Sequence, residues 1–540
     1  MLYQQFDFVS GQTWYVYIQW LVGLFVASGL LSRTTRFLRC HPNPAKPPSA
    51  PLGIPVLGHA LLFLGSPTKL ASIVTNAKGP PILRFRLPFT SLWLVRDTEH
   101  IRRVFLQPEA FDFVAVSVLF LKNVLEMPRS ILDMICRDNS GVARKPSPGS
   151  NIPPNERFMY LKHEATNRVI SRTGLPALIE HFEDNLQSWM NDCDIGTEWV
   201  EKPDLYLFLR DILFKVSVDA FFGPHLLRES PHLMTDFWQF DEDIPALSRG
   251  LPRFLNPGSR NARDKCIAAV KNWRGRAKAH QSDDNSDANW DEHWGLKCMK
   301  LRNKVFESFK EWDDQACAAT DTAMFWATNT NIIPATFWFI YETLANQDLM
   351  SQARNEVALV KSDDPNRMFD TRRLLGSPLL QSIYAETLRM YVAVMMVRET
   401  MQDSQLGRTS VPQGQKVVVC SYTGHMDERN WNVGTEEDPH PVRQFWGKRF
   451  LQDSESGPIF SLAGTEGKWL PYGMGERMCP GRHFAKHQMM LTFAYITAHF
   501  DIDLGSSAKR SPAVDINHFG FGTLPPAEPI PFRLRKSSRV

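Results

Sequence analysis

Cysteine is scarce in this chain of 540 residues, and no two cysteines recur at a short spacing. The eight that are present are scattered: Cys40, Cys136, Cys193, Cys266, Cys298, Cys317, Cys420 and Cys479. The absence of any Cys-x-x-Cys pair argues against a disulfide framework. We therefore expect reduced thiols in a protein that faces the cytosol.

Net charge is also small, at +3, which gives no support for nucleic-acid binding. Internal repeats are absent as well, and the apolar fraction of 43% is sufficient for a large core. The one strong break in composition is residues 279–294, which include His-Gln-Ser-Asp-Asp-Asn-Ser-Asp. This stretch is typical of an exposed acidic loop between helices.

Charged residues are missing from Phe8 to Ser32, where the sequence is long and apolar enough to cross a bilayer core of ~30 Å as one helix. The basic flank Arg33, Arg36 and Arg39 should remain on the cytosolic side. The alternative is a cleaved signal peptide, but the run is longer than usual and no small-residue cleavage site follows it. We expect a membrane anchor at residues 1–40, a Pro-rich hinge at 41–58 and one globular domain at 59–540.

Helical periodicity dominates that domain, with predicted helical segments at residues 157–190, 205–222, 300–346, 348–360 and 374–391. Strand-like runs are short, at residues 82–86, 91–95 and 416–420. The pattern predicts a mainly α fold with small β-sheets.

Cys479 lies in the sequence Pro-Tyr-Gly-Met-Gly-Glu-Arg-Met-Cys-Pro-Gly-Arg, residues 471–482. Glycines leave the backbone bare for close approach to a flat object, and backbone N–H groups beyond the cysteine can hold its sulfur as a thiolate. A helix beginning just past Pro480 would add its positive dipole end. Arg477 can meet an anion on the same side. A thiolate, a bare backbone and a cation together suit a haem, with sulfur on iron and Arg on a propionate.

This stretch resembles the cysteine loop of the cytochrome P-450 family, Phe-x-x-Gly-x-Arg-x-Cys-x-Gly. Tyr472 stands at the Phe position, and Gly475, Arg477, Cys479 and Gly481 match. The resemblance implies haem b with Cys479 as the axial iron ligand, and Arg477, Tyr472, Gly473 and Gly481 among the cofactor-binding residues. A dinucleotide fingerprint fails for want of a third glycine, and the pair His483 and His487 lacks the Glu of a zinc protease.

Two upstream motifs extend the resemblance. Glu386-Thr-Leu-Arg389 and Phe445-Trp-Gly-Lys-Arg449-Phe450 correspond to family elements, although Gly447 stands where Pro is usual. In the family, the Glu and both Arg form a structural lock behind the cysteine loop. We carry these structural roles to Glu386, Arg389 and Arg449.

Arg398 ends an apolar strand, residues 392–397, that resembles the segment over the haem edge, where Arg meets a propionate. Ala393 and Val394 are accordingly expected in the substrate pocket, with Phe521 of a C-terminal loop. The family also carries a Trp-x-x-x-Arg pair in an early helix. The nearest match here is Phe158-Met-Tyr-Leu-Lys162, which leaves that second propionate contact open.

The segment from Phe325 to Trp338 interrupts an apolar helix with polar residues and Pro334, which predicts a kink. It resembles the branch that holds steroid 7-alpha-hydroxylases and prostacyclin synthase. Most monooxygenases of the family have an acid and Thr where this chain has Asn331 and Ile332, and Ile cannot deliver protons. Thr328 or Asn331, with water, would then take that catalytic role, and Ile332 would line the pocket.

The resemblance implies a membrane-anchored monooxygenase of the microsomal type, expected in the endoplasmic reticulum with its catalytic domain in the cytosol. Its partners would be dioxygen, an NADPH-dependent flavoprotein reductase and a lipophilic substrate such as a terpenoid, sterol or polyketide, in secondary metabolism. Ile332 leaves open a second reading, an isomerase or dehydratase that needs no external electrons. A haem carrier or sensor is a third reading, which the apolar pocket segments disfavour.

Overall fold

The computed structural model describes residues 47–538 except 77, 89, 251–257, 281–287, 456 and 510. Helices dominate these residues, and a ten-residue π-helix, Glu164–Thr173, follows the sixth of them. The α-helices are α1 Ala60–Gly65, α2 Pro67–Val74, α3 Thr98–Leu106, α4 Val114–Asn123, α5 Arg129–Arg137, α6 Phe158–His163, α7 Leu175–Asp192, α8 Leu205–Phe222, α9 His225–Glu229, α10 Leu233–Ser248, α11 Ser259–Ala279, α12 Lys297–Glu307, α13 Asp314–Ala327, α14 Ile332–Ala345, α15 Gln347–Ala358, α16 Thr371–Gly376, α17 Pro378–Tyr391, α18 Ser421–His425 and α19 Arg482–His499.

The strands are short, and the largest sheet has the order β1-β2-β10-β7-β14, with β3 paired to β7. Smaller sheets join β13-β15-β4, β5-β6, β8-β9 and β11-β12. The strands are β1 Ile82–Arg86, β2 Ser91–Val95, β3 Phe111–Asp112, β4 Val200–Lys202, β5 Trp290–Asp291, β6 Gly295–Leu296, β7 Val392–Thr400, β8 Ser404–Leu406, β9 Thr409–Val411, β10 Lys416–Cys420, β11 Leu451–Gln452, β12 Ile459–Phe460, β13 Phe500–Asp503, β14 Phe521–Thr523 and β15 Phe532–Lys536.

Helix α14 lies at the centre of the helical core and packs against α8, α17 and α19. Its side chains from Phe337 to Ile340 are fully buried, so this helix is apolar on all sides. The large sheet has a separate apolar core between β-strands and α1–α2, which includes Leu94, Val418 and Phe519. The predicted mainly α fold with small sheets is confirmed.

Several predicted elements match the structure closely. The helix at residues 205–222 and the strands at 82–86, 91–95 and 416–420 have the predicted bounds. Residues 157–190 are helical almost throughout, but the π-helix occupies their middle. The predicted helix at 374–391 is divided between α16 and α17 at Ser377, because Pro378 begins the second helix.

The helical segment predicted for residues 300–346 is divided among three helices. Helix α12 ends at Glu307, and a turn at residues 328–331 separates α13 from α14. The Thr328 hydroxyl and the Asn329 amide both donate to the carbonyl of Phe325, at 3.0 and 2.9 Å. These side chains compete with the backbone for helix acceptors, and Pro334 has no N–H to donate. The sequence predicted a kink within a helix at this point, whereas the structure has a break between two helices.

The acidic stretch 279–294 is also more structured than predicted, although residues 281–287 lie outside the described ranges. Its end forms the first strand of the β5–β6 hairpin, and Trp294 is only 2% exposed. Trp294 packs edge to face on Trp273 of α11. This end of the stretch is therefore part of the core rather than a solvated connector.

The expected anchor at residues 1–40 and the start of the hinge, 41–46, lie outside the described residues. None of the helices within the described ranges combines the length and apolar character needed to cross a bilayer. All seven cysteines in these ranges are unpaired, as expected for reduced thiols.

Candidate functional site

Cys479 lies in a loop that closes on itself immediately before α19. Its backbone N–H donates to the carbonyl of Tyr472 at 3.0 Å, and its carbonyl accepts a hydrogen bond from the Arg482 guanidinium at 3.0 Å. A short 3-10 turn, Gly475–Arg477, precedes the cysteine, and α19 begins at Arg482. The loop therefore presents the thiol at the N-terminal end of a long helix.

The Cys479 thiol lies at a recess that is surrounded by protein but open to solvent. Burial raises its pKa, yet the residue retains substantial accessible surface. Hydrogen bonds from the backbone at Gly481 and Arg482 and the charge of the Arg482 side chain act in the opposite direction and favour the thiolate. The sulfur is thus surrounded by protein, supplied with donors and still open to a ligand.

The glycines beside Cys479 keep this recess open. Gly473 and Gly475 have φ values of +73° and +76°, in the left-handed region that favours glycine. A Cβ on Gly475 would lie 2.5 Å from the carbonyl oxygen of Phe105, and one on Gly481 would lie 3.7 Å from the Cys479 sulfur. Side chains at these positions would distort the loop or approach the sulfur. The structure thus places Gly481 next to the Cys479 sulfur, whereas a Cβ on Gly473 would lie 3.3 Å from the sulfur of Met396.

Three cations lie close to one another beside the loop: Arg398, which is buried, and Lys162 and Arg477, which are partly buried. The ring of Phe113 lies under both guanidinium groups, 5.0 Å from Arg398 and 5.7 Å from Arg477. Burial and the charge of Arg477 lower the pKa of Arg398 to about 10. Burial, Arg302 and Arg477 lower the pKa of Lys162 to about 7. The positive charge of Arg477 thus disfavours the charged forms of both Arg398 and Lys162.

These cations are only partly compensated by the protein. Arg398 donates to the adjacent carbonyl of Val397 at 2.9 Å. The charge of Asp112 favours the charged forms of Arg398 and Arg477, and that of Asp321 favours the charged form of Lys162. A bound anion would compensate these cations further. A thiol, an open backbone and a cluster of cations fit the haem that the sequence resemblance implies: Cys479 would hold its iron, and the cations would hold its propionates.

Lys162 is the residue that sequence reasoning left open. It stands where the family has the Arg of its early-helix pair, and its ammonium lies 5.9 Å from the Phe158 ring. The helix around it is irregular, because α6 passes directly into the π-helix at Glu164. Such bulges recur at functional sites because they reposition side chains.

Glu386, Arg389 and Arg449 come together behind the loop. The Glu386 carboxylate accepts hydrogen bonds from Arg389 at 2.7 and 2.9 Å and from Arg449 at 3.0 Å, and all three side chains are buried. Arg389 and Arg449 also donate to backbone carbonyls of the segment that leads to the loop, including those of Val442 and Gln444. This network thus ties Glu386 to both arginines and to the backbone at residues 442 and 444.

The expected catalytic pair, Thr328 and Asn331, lies in the turn between α13 and α14. Thr328 donates its hydroxyl proton to the Phe325 carbonyl at 3.0 Å. Asn331 accepts a hydrogen bond from the backbone N–H of Thr523 in β14 at 2.8 Å. Both side chains are only partly buried, but each already holds a structural hydrogen bond.

Strands β7 and β14 bring the expected pocket residues together. Phe521 pairs with Val394, and Gly522 pairs with Ala393. Val394, Phe521 and Ile332 are partly buried at the edge of the helical core. Ala393 belongs to the sheet core instead and is fully buried, because alternate strand residues face opposite sides. The structure thus separates Ala393 from the other three pocket candidates.

A buried carboxylate, that of Asp241, lies beside the turn between α13 and α14 and was not predicted from the sequence. Asp241 of α10 accepts a hydrogen bond from Trp326, near the end of α13, at 2.7 Å. It accepts another from Thr330, in the turn that follows α13, at 2.5 Å. Its other oxygen lies 3.9 Å from Nε2 of His518, a buried nitrogen without a hydrogen-bond partner among the described residues. Burial raises the pKa of Asp241. Because these residues are distant in sequence, no spacing could have revealed the group.

A cavity of about 10 Å³ adjoins Asp241, His518, Asn331 and Phe521. That volume is about one water molecule in size, and a hydroxyl oxygen could reach both Asp241 and His518 there. The cavity therefore places a polar site, formed by Asp241 and His518, next to Phe521, one of the apolar residues expected in the pocket.

Comparison with known proteins agrees with this geometry. The cytochrome P450 family model matches residues 211–528. The chain is 35% identical over 404 residues to cytochrome P450 monooxygenase efuG of Hormonema carpetanum, covering 69% of this chain and 71% of that protein. It is 30% identical over 560 residues to cytochrome P450 monooxygenase fsoE of Humicola fuscoatra, covering 97% and 93%.

A mammalian protein is also similar. The chain is 24% identical over 400 residues to cholesterol 7-alpha-monooxygenase of Cricetulus griseus, which covers 69% of this chain and 75% of that protein. The expected resemblance to the steroid 7-alpha-hydroxylase branch is therefore confirmed. With a matching family model over more than half its length and a cysteine loop of the required geometry, the chain belongs to the cytochrome P450 family of haem-thiolate oxidoreductases.

Proposed function

We propose that this enzyme is a membrane-anchored monooxygenase that inserts oxygen into a lipophilic small molecule. The observation that carries the proposal is the open thiol of Cys479 in a loop that also carries Arg477, with Lys162 and Arg398 close to that arginine. Haem bound there supplies dioxygen activation, since an axial thiolate pushes electron density to the iron and favours O–O cleavage.

The residues around the recess hold and tune the cofactor. Cys479 ligates the iron, and the backbone donors at Gly481 and Arg482 stabilise its negative charge. Arg398, Arg477 and Lys162 neutralise the propionates. Tyr472 supports the loop through a hydrogen bond of 2.8 Å between its hydroxyl and that of Tyr384.

The substrate is lipophilic with at least one hydrogen-bonding group. Ile332, Val394 and Phe521 give an apolar wall, which suits a terpenoid, sterol or polyketide skeleton. A relative named for cholesterol supports that class. A substrate hydroxyl in the small cavity would satisfy both Asp241 and His518.

Protons for the reaction pass through water held at the turn between α13 and α14. Ile332 cannot donate, so the Thr328 hydroxyl and the free amide hydrogens of Asn331 hold that water. Electrons come from an NADPH-dependent flavoprotein reductase. Residues 1–40 hold the enzyme at the endoplasmic reticulum membrane, with the catalytic domain in the cytosol.

The first test is the spectrum of reduced protein with carbon monoxide. The intact protein should show the red-shifted band of thiolate-bound haem, and Cys479→Ala should abolish it. Cys136→Ala, which changes an exposed cysteine elsewhere, is the matched control and should keep the band. A histidine-type spectrum from the intact protein would refute ligation by Cys479.

Ile332 supports a second candidate, an isomerase or dehydratase that acts without external electrons. Both candidates share the haem and the thiolate, so the spectrum cannot separate them. Turnover of the substrate in the presence and absence of NADPH, reductase and dioxygen does so. Product formed without all three would exclude the monooxygenase and support the second candidate.

A further inference from the structure

A cluster of metal-binding side chains lies at the tip of the β5–β6 hairpin. His225, Glu292 and His293 each offer one ligand atom, and these atoms lie within 4.8 Å of one another. It is the one group of three or more His, Cys, Asp or Glu residues with that spacing in the described part of the chain. The cluster joins two separate elements, since His225 begins α9 and the other two residues lie in the hairpin turn.

The backbone of this turn is held firmly. The Asp291 carboxylate accepts hydrogen bonds from the backbone N–H groups of His293 and Trp294, at 2.9 and 2.7 Å. Gly223 and Gly295, both with positive φ, allow the hairpin to lie directly against the end of α8. A Cβ on Gly223 would lie 2.4 Å from the carbonyl oxygen of Glu292. The hairpin therefore keeps the position of His293 and Glu292 relative to His225.

The two imidazoles lack the partners that buried nitrogens normally have. His225 is 9% exposed, and its ring is parallel to that of His293, with 6° between the planes and centroids 5.3 Å apart. Nδ1 of each ring is buried and has no hydrogen-bond partner among the described residues. The nearest carboxylate of α9, Glu229, is 3.9 Å from Nδ1 of His225, too far for a hydrogen bond. Buried nitrogens without partners destabilise the fold unless a ligand satisfies them.

We propose that His225, His293 and Glu292 bind one zinc ion. Two imidazoles and a carboxylate are ligands that zinc prefers, whereas calcium and magnesium require mostly oxygen. Tetrahedral ligands at ~2.1 Å from zinc lie about 3.4 Å apart. The three ligand atoms lie within 4.8 Å of one another, so the two rings and the exposed Glu292 side chain, 65% accessible, would have to move closer together around the ion.

Two residues at or beside the cluster, His225 and Arg276, bear on whether it can bind a zinc ion. The unpartnered Nδ1 of His225 lies beside the hairpin, and a neutral imidazole there can ligate zinc through its lone pair. Arg276 is paired with Glu229, which partly neutralises its positive charge beside the cluster. The ion would join the hairpin to α9, a staple that does not depend on the haem site.

The test uses the full-length, haem-loaded protein without an affinity tag, stripped of metal by a chelator. Zinc binding is measured by equilibrium dialysis with metal quantification, and thermal unfolding is followed with and without zinc. We expect one high-affinity zinc per chain and a higher Tm with zinc. His225→Ala and Glu292→Gln should weaken binding at least tenfold and remove the Tm shift.

His280 provides the matched control. Its ring stacks on His293 with centroids 4.7 Å apart, but its Nδ1 lies 3.0 Å from the carbonyl oxygen of Arg276. His280→Ala should therefore bind zinc like the wild type. Equal binding by the wild type and Glu292→Gln, which leaves the buried residues intact, would overturn the proposal. So would a loss in His280→Ala as large as that in His225→Ala.

Discussion

The carboxylate of Glu386 accepts a hydrogen bond from Nε of Arg449 at 3.0 Å, across 63 residues of chain. The same carboxylate bonds to Arg389, so one buried anion compensates two buried cations. Removing one member of such a network leaves charges uncompensated, which typically costs about 3–5 kcal/mol.

We therefore expect Glu386→Gln to lower the free energy of unfolding by roughly that amount and to reduce haem loading. Denaturant unfolding of the purified protein, together with the haem-to-protein absorbance ratio, measures both. Glu436→Gln, at an exposed position, is the control and should be neutral. A Glu386→Gln variant as stable as this control would show that the network does not support the loop.

Arg477 is expected to retain the cofactor rather than to stabilise the fold. Arg477→Gln removes one charge-assisted contact to a propionate, worth about 1.5–3 kcal/mol, and should speed haem loss about 10- to 100-fold. Transfer of haem to an excess of a scavenging protein measures the rate. Arg408→Gln, which changes an exposed arginine, should release haem at the wild-type rate. Unchanged release from Arg477→Gln would contradict the role in cofactor binding.

Ile332→Thr should direct more of the consumed electrons to product. The new hydroxyl can hold a water or donate a proton at the distal turn, which Ile cannot do. The measurement is product formed and hydrogen peroxide released per NADPH. Ile332→Val shortens the side chain to the size of Thr without the hydroxyl, so it separates chemistry from volume. If Val and Thr give the same coupling, proton delivery is not limited at this position.

Glu342 gives a prediction on pH. Burial raises the pKa of this carboxyl to about 7, against the smaller effect of the Tyr391 hydroxyl, which donates to it. Between the unfolded pKa near 4.3 and the folded value, the folded state keeps a proton that the unfolded state has lost. Stability should therefore fall as pH rises through that window and become level above it.

The size of this effect is at most about 4 kcal/mol. Glu342→Gln should lose the corresponding slope when unfolding is measured from pH 4.5 to 8, and Glu528→Gln, at an exposed position, should keep it. An identical pH dependence of the wild type and Glu342→Gln would contradict the assignment.

The parts that sequence predicted well are those with local causes. Residues 205–222 form a helix with the expected bounds because Asp204 caps it and Gly223 ends it. The loop around Cys479 could also be predicted from the sequence, because its glycines and its cysteine lie within a few residues of one another. The break at residues 328–331 was expected only as a kink, because the competing side-chain hydrogen bonds of Thr328 and Asn329 cannot be counted from a pattern.

The parts that sequence missed depend on distant contacts. Asp241 and Thr330 are 89 residues apart, and their hydrogen bond exists only because α10 crosses the turn after α13. Ala393 was assigned to the pocket with Val394, although neighbouring strand residues must face opposite sides. Lys162 could be aligned but not interpreted until its burial near Arg477 was known.

Gly522 has φ +151° and lies against Asn331, whose side-chain oxygen would be 1.7 Å from any Cβ placed on it. The two positions therefore cannot vary independently. A side chain at position 522 would require the Asn331 amide to rotate away or be replaced, and either change breaks its hydrogen bond to Thr523. We therefore expect natural relatives that keep Asn at the first position to keep Gly at the second.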